Sequence, residues 1–466
     1  MIDGGVHHYL KGAIELEEKK NRTAEEAIFD ARKLGIPKFL LLGLQHMFAM
    51  FGATVLVPLL TGLSIQVTLI CAGLGTLLFH VFAKFKVPAF LGSSFAFLGG
   101  FTAIKALDSG IYAGMAEAEK LQYACGGIVA AGAVYLILAL AVKLIGVKRV
   151  MRYIPPVVTG PMIILIGLTL APSAVSNAST NWILALIALA VIVACNIWGK
   201  GMVKIIPILL GVLISYVAAL IMHNLGVTNP DGSKIFDFAS VNAANWVGLP
   251  PFKLAKFEIS AILVMVPISL ATIMEHIGDI SAISATVGKN FIGSPGLQRT
   301  LLGDGLATSL AALVGGPANT TYGENTGVLA LSKVYDPRVI RLAAVFAIIL
   351  SFIPKFSGIV STIPSAIIGG VSFILYGMIS AIGVRNVVEN KVDFTNSRNL
   401  IIAAMVLVCG LGFTDGVTFT IAGTAINLTG LALAAIVGIA LNAILPGKDY
   451  EFDSNEPGST SVNFEV

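Results

Sequence analysis

Charged side chains are scarce in this chain of 466 residues: 12% of its residues are Asp, Glu, Lys or Arg, while 56% are hydrophobic. Soluble domains carry about a quarter charged residues, because a surface that faces water needs them. The shortage of charge and the mean hydropathy of +0.88 exclude a soluble globular protein and indicate that most of the outer surface faces lipid. The net charge of +4 is too small to indicate a nucleic-acid partner.

Cysteines and known catalytic motifs are also few. All the cysteines lie in apolar stretches, and no two of them have the spacing of a metal site. They are Cys71, Cys125, Cys195 and Cys409. We predict that they are small buried residues that neither form disulfides nor bind metal. Since no Ser/His/Asp order, H-E-x-x-H motif or paired-metal spacing is present, we expect neither an enzyme nor a metal or organic cofactor.

The first 37 residues do not have the pattern of a cleavable signal peptide. They are polar and charged, and the apolar run that follows them is too long for a signal-peptide core and has no small-residue cleavage site. We therefore predict that residues 1–37 form a cytoplasmic segment and that the first apolar run remains as a transmembrane helix.

Long apolar runs dominate the rest of the chain. A helix needs about 20 apolar residues to cross the hydrocarbon core of a bilayer. Fourteen candidate segments begin near Phe39, Ser64, Pro88, Tyr123, Pro155, Asn181, Lys204, Ser260, Leu301, Pro317, Val339, Ser361, Asn399 and Leu428. We predict an all-α polytopic membrane protein with 14 transmembrane segments, seven in residues 38–223 and seven in residues 258–445. A polar loop, residues 224–257, separates the halves, and residues 446–466 form a tail.

The basic residues predict the orientation, because Lys and Arg concentrate in cytoplasmic loops. With the N-terminus in the cytoplasm, 24 of the 30 Lys and Arg residues fall in cytoplasmic segments. The external ones are Lys105, Lys120, Lys234, Lys253, Lys256 and Lys355. We therefore predict a protein of the plasma or inner membrane with both termini, including the tail, in the cytoplasm and the loop 224–257 outside.

Two of the fourteen segments are abnormal. The third (PAFLGSSFAFLGG, from Pro88) and the tenth (GGPANTTYGENTG, around Pro317) are short and rich in Gly, Ser and Thr. Because seven is an odd number, the two halves must enter the membrane from opposite sides, which predicts inverted repeats with these segments in equivalent places. Irregular backbone survives at membrane depth only where protein or a water-filled cavity satisfies it. The pair therefore predicts the substrate site.

Glu324 is an ionisable residue inside the tenth segment, and such residues are candidates for function because they are costly in a membrane. It follows Tyr322 and Gly323. The glycine lets the backbone approach a ligand closely, the tyrosine offers a flat face, and the carboxylate accepts hydrogen bonds. This combination suits a small planar ring with N–H donors; a glutamate paired only for structure is the alternative.

Glu275 and Asp279 stand four residues apart in the eighth segment, so they share one helical face. Two carboxylates on one face at membrane depth do not both ionise cheaply. One of them is therefore a candidate carrier of a coupled proton. The alternative for Asp279 is a solvated position at the cytoplasmic interface.

Three intramembrane histidines and one aspartate complete the candidates. His46, in the first segment, is either a packed core residue or part of the proton pathway. His80 lies near the end of the second segment, where a structural role is favoured. The sequence leaves the roles of His276 and Asp304 undecided.

Four stretches, LQHMFAMFGATVLVP, PAFLGSSFAF, MEHIGD and above all NTTYGENTGV, resemble the nucleobase–ascorbate transporter family of nucleobase:cation symporters, and in particular its bacterial uracil permeases. The likeness extends over residues 35–445. It implies two inverted sevens with short strands in segments three and ten that cross at the middle of the bilayer. It also implies a core domain of segments one to four and eight to eleven, and a gate domain of segments five to seven and twelve to fourteen.

The resemblance implies a function and a site as well. The expected function is proton symport of uracil into the cell, with the proton as coupling ion, no other cofactor, and a possible homodimer through the gate domain. The substrate-binding residues would be Phe95, Glu275, Tyr322, Gly323 and Glu324. Asp279 departs from the family, because uracil permeases have a histidine there. The proton-linked group is therefore open among Glu275, Asp279 and His46.

Two other transporter classes remain as alternatives. A purine permease of the xanthine type would need a larger or differently lined pocket, and purine branches usually carry another residue at the position of Glu324. An anion carrier of the same fold would favour positive potential at the paired half-helices. The two acidic residues predicted there argue against anions.

Overall fold

The computed structural model describes residues 27–108, 110–413, 416–421 and 424–447. Residues 1–26 of the predicted N-terminal segment and residues 448–466 of the predicted tail lie outside the described residues. The described part is mostly helical.

The first half of the chain is built from helices of very different length, interrupted by one short strand. These elements are α1 (Ile36–Thr61), α2 (Ile65–Phe82), β1 (Leu91–Ser93), α3 (Leu98–Ala106), α4 (Glu117–Ile145), α5 (Val147–Met151), α6 (Pro156–Ala178), α7 (Trp182–Trp198), α8 (Met202–Ile205) and α9 (Pro207–Asn224). Proline in the first turn starts α1, α6 and α9, where its missing N–H needs no partner. Ser64 and Asn181 cap α2 and α7 by accepting hydrogen bonds from backbone N–H groups.

The second half repeats this alternation. Its elements are α10 (Ala239–Ala243), α11 (Ile259–Met265), α12 (Ile268–Val287), α13 (Leu297–Leu313), β2 (Asn319–Thr321), α14 (Gly323–Ser332), α15 (Pro337–Ser351), α16 (Pro354–Ser361), α17 (Ser365–Glu389), α18 (Ser397–Gly412), β3 (Val417–Ile421), β4 (Thr424–Leu428) and α19 (Gly430–Ile444). In both halves a short strand, β1 or β2, precedes a short helix, α3 or α14. These strands lie in the third and tenth predicted segments.

The helices of the described part define a polytopic membrane fold. Seven spans are long and apolar enough to cross a membrane one by one: α1, α2, α4, α6, α9, α11 with α12 as one span, and α17. Helices α15 and α16 would form an eighth, although their axes differ by 86°. Helices α7, α18 and α19 are apolar but shorter. The count of fourteen segments stays a prediction, because several of the predicted segments are too short or too polar to be identified as membrane-crossing helices on their own.

Strands β1 and β2 pair in antiparallel fashion and join the two halves of the chain. In the register, Leu91 faces Thr321 and Ser93 faces Asn319. The Tyr322 N–H donates to the Phe90 carbonyl at 3.0 Å and extends the pair. Mutual pairing satisfies backbone groups that would otherwise be unpaired at membrane depth.

Gly92 shows why the third segment needs a small residue. A Cβ at this position would lie 2.5 Å from the Tyr322 ring and 2.7 Å from Thr54 Oγ1. Any side chain would therefore displace the Tyr322 ring or the Thr54 side chain.

The hairpin of β3 and β4 corrects the expectation of an all-α fold with strands only in segments three and ten. Val417 pairs with Leu428, and Ile421 with Thr424. The sequence of β3, VTFTI, alternates apolar residues with threonine and is rich in β-branched residues, a pattern typical of strands. A count of apolar runs of helical length does not reveal this strand pattern.

The helices pack in two groups. Helix α4 packs on α13, and α2 packs on α13 and α15; in the second group α6 packs on α17, α7 on α9 and α17, and α18 on α19. Small residues allow the closest approaches, as is usual between membrane helices. A Cβ at Gly132 of α4 would lie 2.8 Å from the Gly305 carbonyl of α13. The groups correspond to the segments that the resemblance assigns to core and gate, and those two roles stay predictions.

Loops that were predicted to share a side of the membrane contact each other. The N–H groups of Lys253, Lys256 and Lys355 donate to the carbonyls of Val314, Gln122 and Asn245, all in segments predicted to be external. On the opposite side, the Ile28 N–H donates to the Lys333 carbonyl at 2.9 Å. Which side is cytoplasmic stays a prediction.

Cysteine labelling tests the orientation. A membrane-impermeant maleimide added to intact cells should label Ser233→Cys and spare Arg149→Cys, because both positions are exposed but the first lies in the loop predicted to be external. All four native cysteines are buried, as predicted from the sequence, so the background should be low. If only Arg149→Cys is labelled, the orientation in the membrane is opposite to the predicted one.

Candidate substrate-binding site

The candidate site lies where β1, β2 and the start of α14 meet α12. Four residues there are partly or fully exposed, while most of their neighbours in the chain are buried. They are Glu275, Asp279, Gly323 and Glu324. Gly278 is also exposed, and a Cβ at that position would meet nothing within 4 Å. An opening therefore adjoins this face of α12 inside the helical bundle.

Three carboxylates gather at this opening. Glu275 and Asp279 project from α12, and Glu324 is the second residue of α14. The three lie close enough to interact electrostatically. A Cβ at Gly323 would lie 3.5 Å from Asp279 Oδ1, so the glycine and the Asp279 side chain are neighbours. The sequence placed these residues on separate segments, and the structure brings them together.

Phe95 follows β1 and is partly exposed. It packs against two hydrophobic clusters, one that includes Met162 and Met265 and one that includes Met50 and Tyr322. Its ring therefore lies where these two clusters meet.

Tyr322 holds the strand pair together. Its hydroxyl donates to the Ser93 carbonyl at 2.8 Å and accepts from Thr54 Oγ1 at 3.3 Å. The residue is only 4% exposed, and its ring lies over Gly92. In this conformation Tyr322 braces β1 against β2, a contact that sequence reasoning did not anticipate.

A chain of polar side chains leads from the opening into the core. Thr321 Oγ1 donates to Asp279 Oδ2 at 2.9 Å and lies 3.4 Å from His276 Nδ1. The same His276 nitrogen lies 3.0 Å from Asp304 Oδ2, and both of these side chains are fully buried. Asp279 therefore lies at the strand pair rather than at a solvated interface. The sequence left His276 and Asp304 undecided, and the structure makes them partners.

His46 is fully buried. Asn325 Nδ2 donates to the His46 carbonyl at 2.9 Å and lies 3.2 Å from His46 Nδ1. This contact fits the packed-core alternative, and a role in proton coupling stays a prediction. His80 has the structural role favoured by the sequence, since its Nε2 lies 2.9 Å from the Ala89 carbonyl.

Among the described residues, no three His, Cys, Asp or Glu side chains form a group that could hold a metal ion. The opening offers hydrogen-bond acceptors and the first turn of a helix, and the partly exposed Phe95 ring follows the neighbouring strand β1. Convergent polar groups beside apolar surface are typical of small-molecule sites.

The fold is shared with a solved transporter structure, the transmembrane domain of a cyanobacterium bicarbonate transporter, BicA. The TM-score is 0.58 at 14% identity, and the match covers 90% of this chain and 99% of that one. At this identity the likeness shows the fold alone. The chain therefore shares a mostly helical membrane fold with that transmembrane domain.

Sequence comparisons then identify the family. The family model Xan_ur_permease, described as a permease family, matches residues 37–419. The uracil permease of Bacillus caldolyticus is 41% identical over 428 residues, which cover 89% of this chain and 93% of the relative. The putative pyrimidine permease RutG of Escherichia coli strain K12 is 37% identical over 435 residues, 92% of this chain and 94% of the relative. The chain belongs to the nucleobase–ascorbate transporter family, which confirms the resemblance seen in the sequence.

Proposed function

We propose that this protein is a secondary active transporter that carries uracil into the cell by proton-coupled symport. The observation that carries the proposal is the convergence of Glu275 and Glu324 on one opening beside the strand pair. The names of the relatives, uracil permease and putative pyrimidine permease, support the choice of a pyrimidine.

The groups at the opening complement a uracil ring. Uracil has two N–H donors and two carbonyl acceptors, and the carboxylates of Glu275 and Glu324 accept N–H hydrogen bonds. The first backbone N–H groups of α14, beginning at Gly323, have no partner within the helix and suit a carbonyl oxygen of the ring. Phe95 supplies apolar surface for the face of the ring.

Proton coupling is assigned in this proposal to the α12 carboxylates. Glu275 lies within electrostatic reach of both Glu324 and Asp304, so the energy of its charge depends on what binds at the opening. Asp279 and His46 are the other candidates for the coupled group. Alternating access would follow from movement of the gate helices against the core helices. In this proposal the protein lies in the plasma membrane with both termini in the cytoplasm. It forms homodimers through the gate helices.

Uptake into proteoliposomes tests the function. With the exterior acidic, labelled uracil should accumulate above its external concentration, and a protonophore should collapse the accumulation. An excess of unlabelled uracil should compete with the label better than xanthine does. Stronger competition by xanthine would replace uracil with a purine, and accumulation that survives the protonophore would remove the proton from the proposal.

A further inference from the structure

A second cavity lies on the side of the protein predicted to face the cytoplasm. Its volume is about 670 Å³, within the range of about 300–1,000 Å³ typical of small-ligand sites. It forms where residues 29–32 meet the loops that follow α2, α12 and α14. None of the predicted substrate-binding residues lines it, so it is a separate site.

The N-terminal wall of this cavity is held by several contacts. The Tyr335 N–H donates to the Ile28 carbonyl at 2.9 Å, and the Ala31 N–H donates to Asp336 Oδ2 at 2.7 Å. The rings of Phe29 and Tyr335 lie 5.5 Å apart. The cavity is thus a built feature of the fold rather than a gap under a loose strand.

The two carboxylates of the cavity are already neutralised. Asp30 Oδ2 lies 2.9 Å from Arg32 Nη2, and Asp30 Oδ1 lies 2.9 Å from Arg338 Nη1. Hydrogen bonding to Arg32 holds the pKa of Asp30 well below its ordinary value. Asp336 lies 3.6 Å from the same Arg338 nitrogen. The charges of Asp30 and Asp336 are therefore already balanced by Arg32 and Arg338.

Two lysines supply the surplus positive charge. Lys86 Nζ donates to Ser294 Oγ at 3.0 Å, and Lys289 Nζ lies 4.1 Å from the centre of the Phe29 ring. Among the residues that the structure describes, neither lysine forms an ion pair with a carboxylate. A net positive cavity beside aromatic rings favours an anion that also carries an apolar or planar part.

We propose that this cavity binds an organic phosphate. Lys86 and Lys289 would contact the phosphate oxygens in charge-assisted hydrogen bonds, and Phe29, Phe85 and Tyr335 would contact the organic part. A nucleoside monophosphate from the cytoplasm and the headgroup of an anionic phospholipid both have this chemistry.

Calorimetry on the purified full-length protein tests the soluble source. Uridine 5′-monophosphate should bind, and the double variant Lys86→Gln/Lys289→Gln should weaken binding at least about tenfold, because two charge-assisted hydrogen bonds are lost. Lys148→Gln is the matched control, since Lys148 is exposed on the same predicted side but does not line the cavity. Uracil binding by the same samples shows whether each variant is folded. If the double variant does not bind uracil, the two single variants, Lys86→Gln and Lys289→Gln, are measured in its place.

Nanodiscs with and without phosphatidylglycerol test the lipid source. Thermal stabilisation by phosphatidylglycerol that disappears in the double variant, without binding of the nucleotide, would assign the cavity to a lipid headgroup. The proposal fails if neither probe binds. It also fails if a probe that binds does so equally well to the double variant and to Lys148→Gln. Since uracil binding is measured separately, either failure leaves the proposed transport function untouched.

Discussion

Glu324→Gln should weaken uracil binding at every pH between about 5 and 8, by about 1–3 kcal/mol. The carboxylate is partly exposed at the opening, in the first turn of α14 beside Gly323. Glutamine keeps the shape and a carbonyl acceptor but replaces one oxygen with an N–H₂ donor, which would face an N–H donor of the ring. Calorimetric titration of the purified protein with uracil measures the loss, roughly five- to more than a hundred-fold in Kd.

Glu117→Gln is the control for this experiment. Glu117 is exposed in a segment predicted to be external, and its carboxylate lies 3.2 Å from Lys105 Nζ. Removal of this charge should leave uracil binding unchanged. If Glu324→Gln also binds uracil as well as the unaltered protein does, Glu324 is a structural glutamate and the geometry of the site must be revised.

The two irregular segments beside the candidate site could be predicted from the sequence, because their backbone breaks a strong local rule. A membrane segment is normally a continuous apolar helix, and the proline, glycine and threonine around Pro88 and Pro317 interrupt two such segments. The structure places β1 and β2 directly in those interruptions. The carboxylates Glu275, Asp279 and Glu324 could be recognised as candidates by a second local rule, because charged residues are rare at membrane depth.

The contacts that support the site could not be predicted in the same way. His276 and Asp304 belong to different helices, and Asn325 meets His46 across a separation of 279 residues. Apolar periodicity carries no information about which buried polar groups become partners, because their pairing depends on how the helices pack. Only the general rule that buried polar groups find partners was available. The motif around Glu324 already contained two of these partners, Thr321 and Asn325.

Glu275→Gln should have the second large effect, which falls mainly on coupling and only to a smaller extent on recognition. We expect uracil binding to remain measurable, its dependence on pH to flatten, and uphill uptake to be abolished. Glu275 is partly exposed at the opening and interacts electrostatically with Glu324 and Asp304. Uracil is neutral, but when bound it would change the hydrogen bonding and hydration of the Glu275 carboxyl group. A glutamine at this position cannot take up or release a proton in response. Binding titrations between about pH 5 and 8 and uptake into proteoliposomes measure the two effects.

Asp279→Asn decides whether the proton belongs to Glu275. An asparagine can still accept the hydrogen bond that Thr321 Oγ1 donates to Asp279 at 2.9 Å, so the strand pair should keep its geometry while the charge is lost. If Glu275 carries the proton, Asp279→Asn should retain both uphill uptake and a pH-dependent affinity for uracil. If only Asp279→Asn loses uphill uptake and the pH-dependent affinity, the proton belongs to Asp279. Protonation of Asp279 would then act on the polar chain that runs through Thr321 to His276 and Asp304. Loss of the pH dependence in both variants would instead mean that the two carboxylates of α12 share one proton and titrate as a pair.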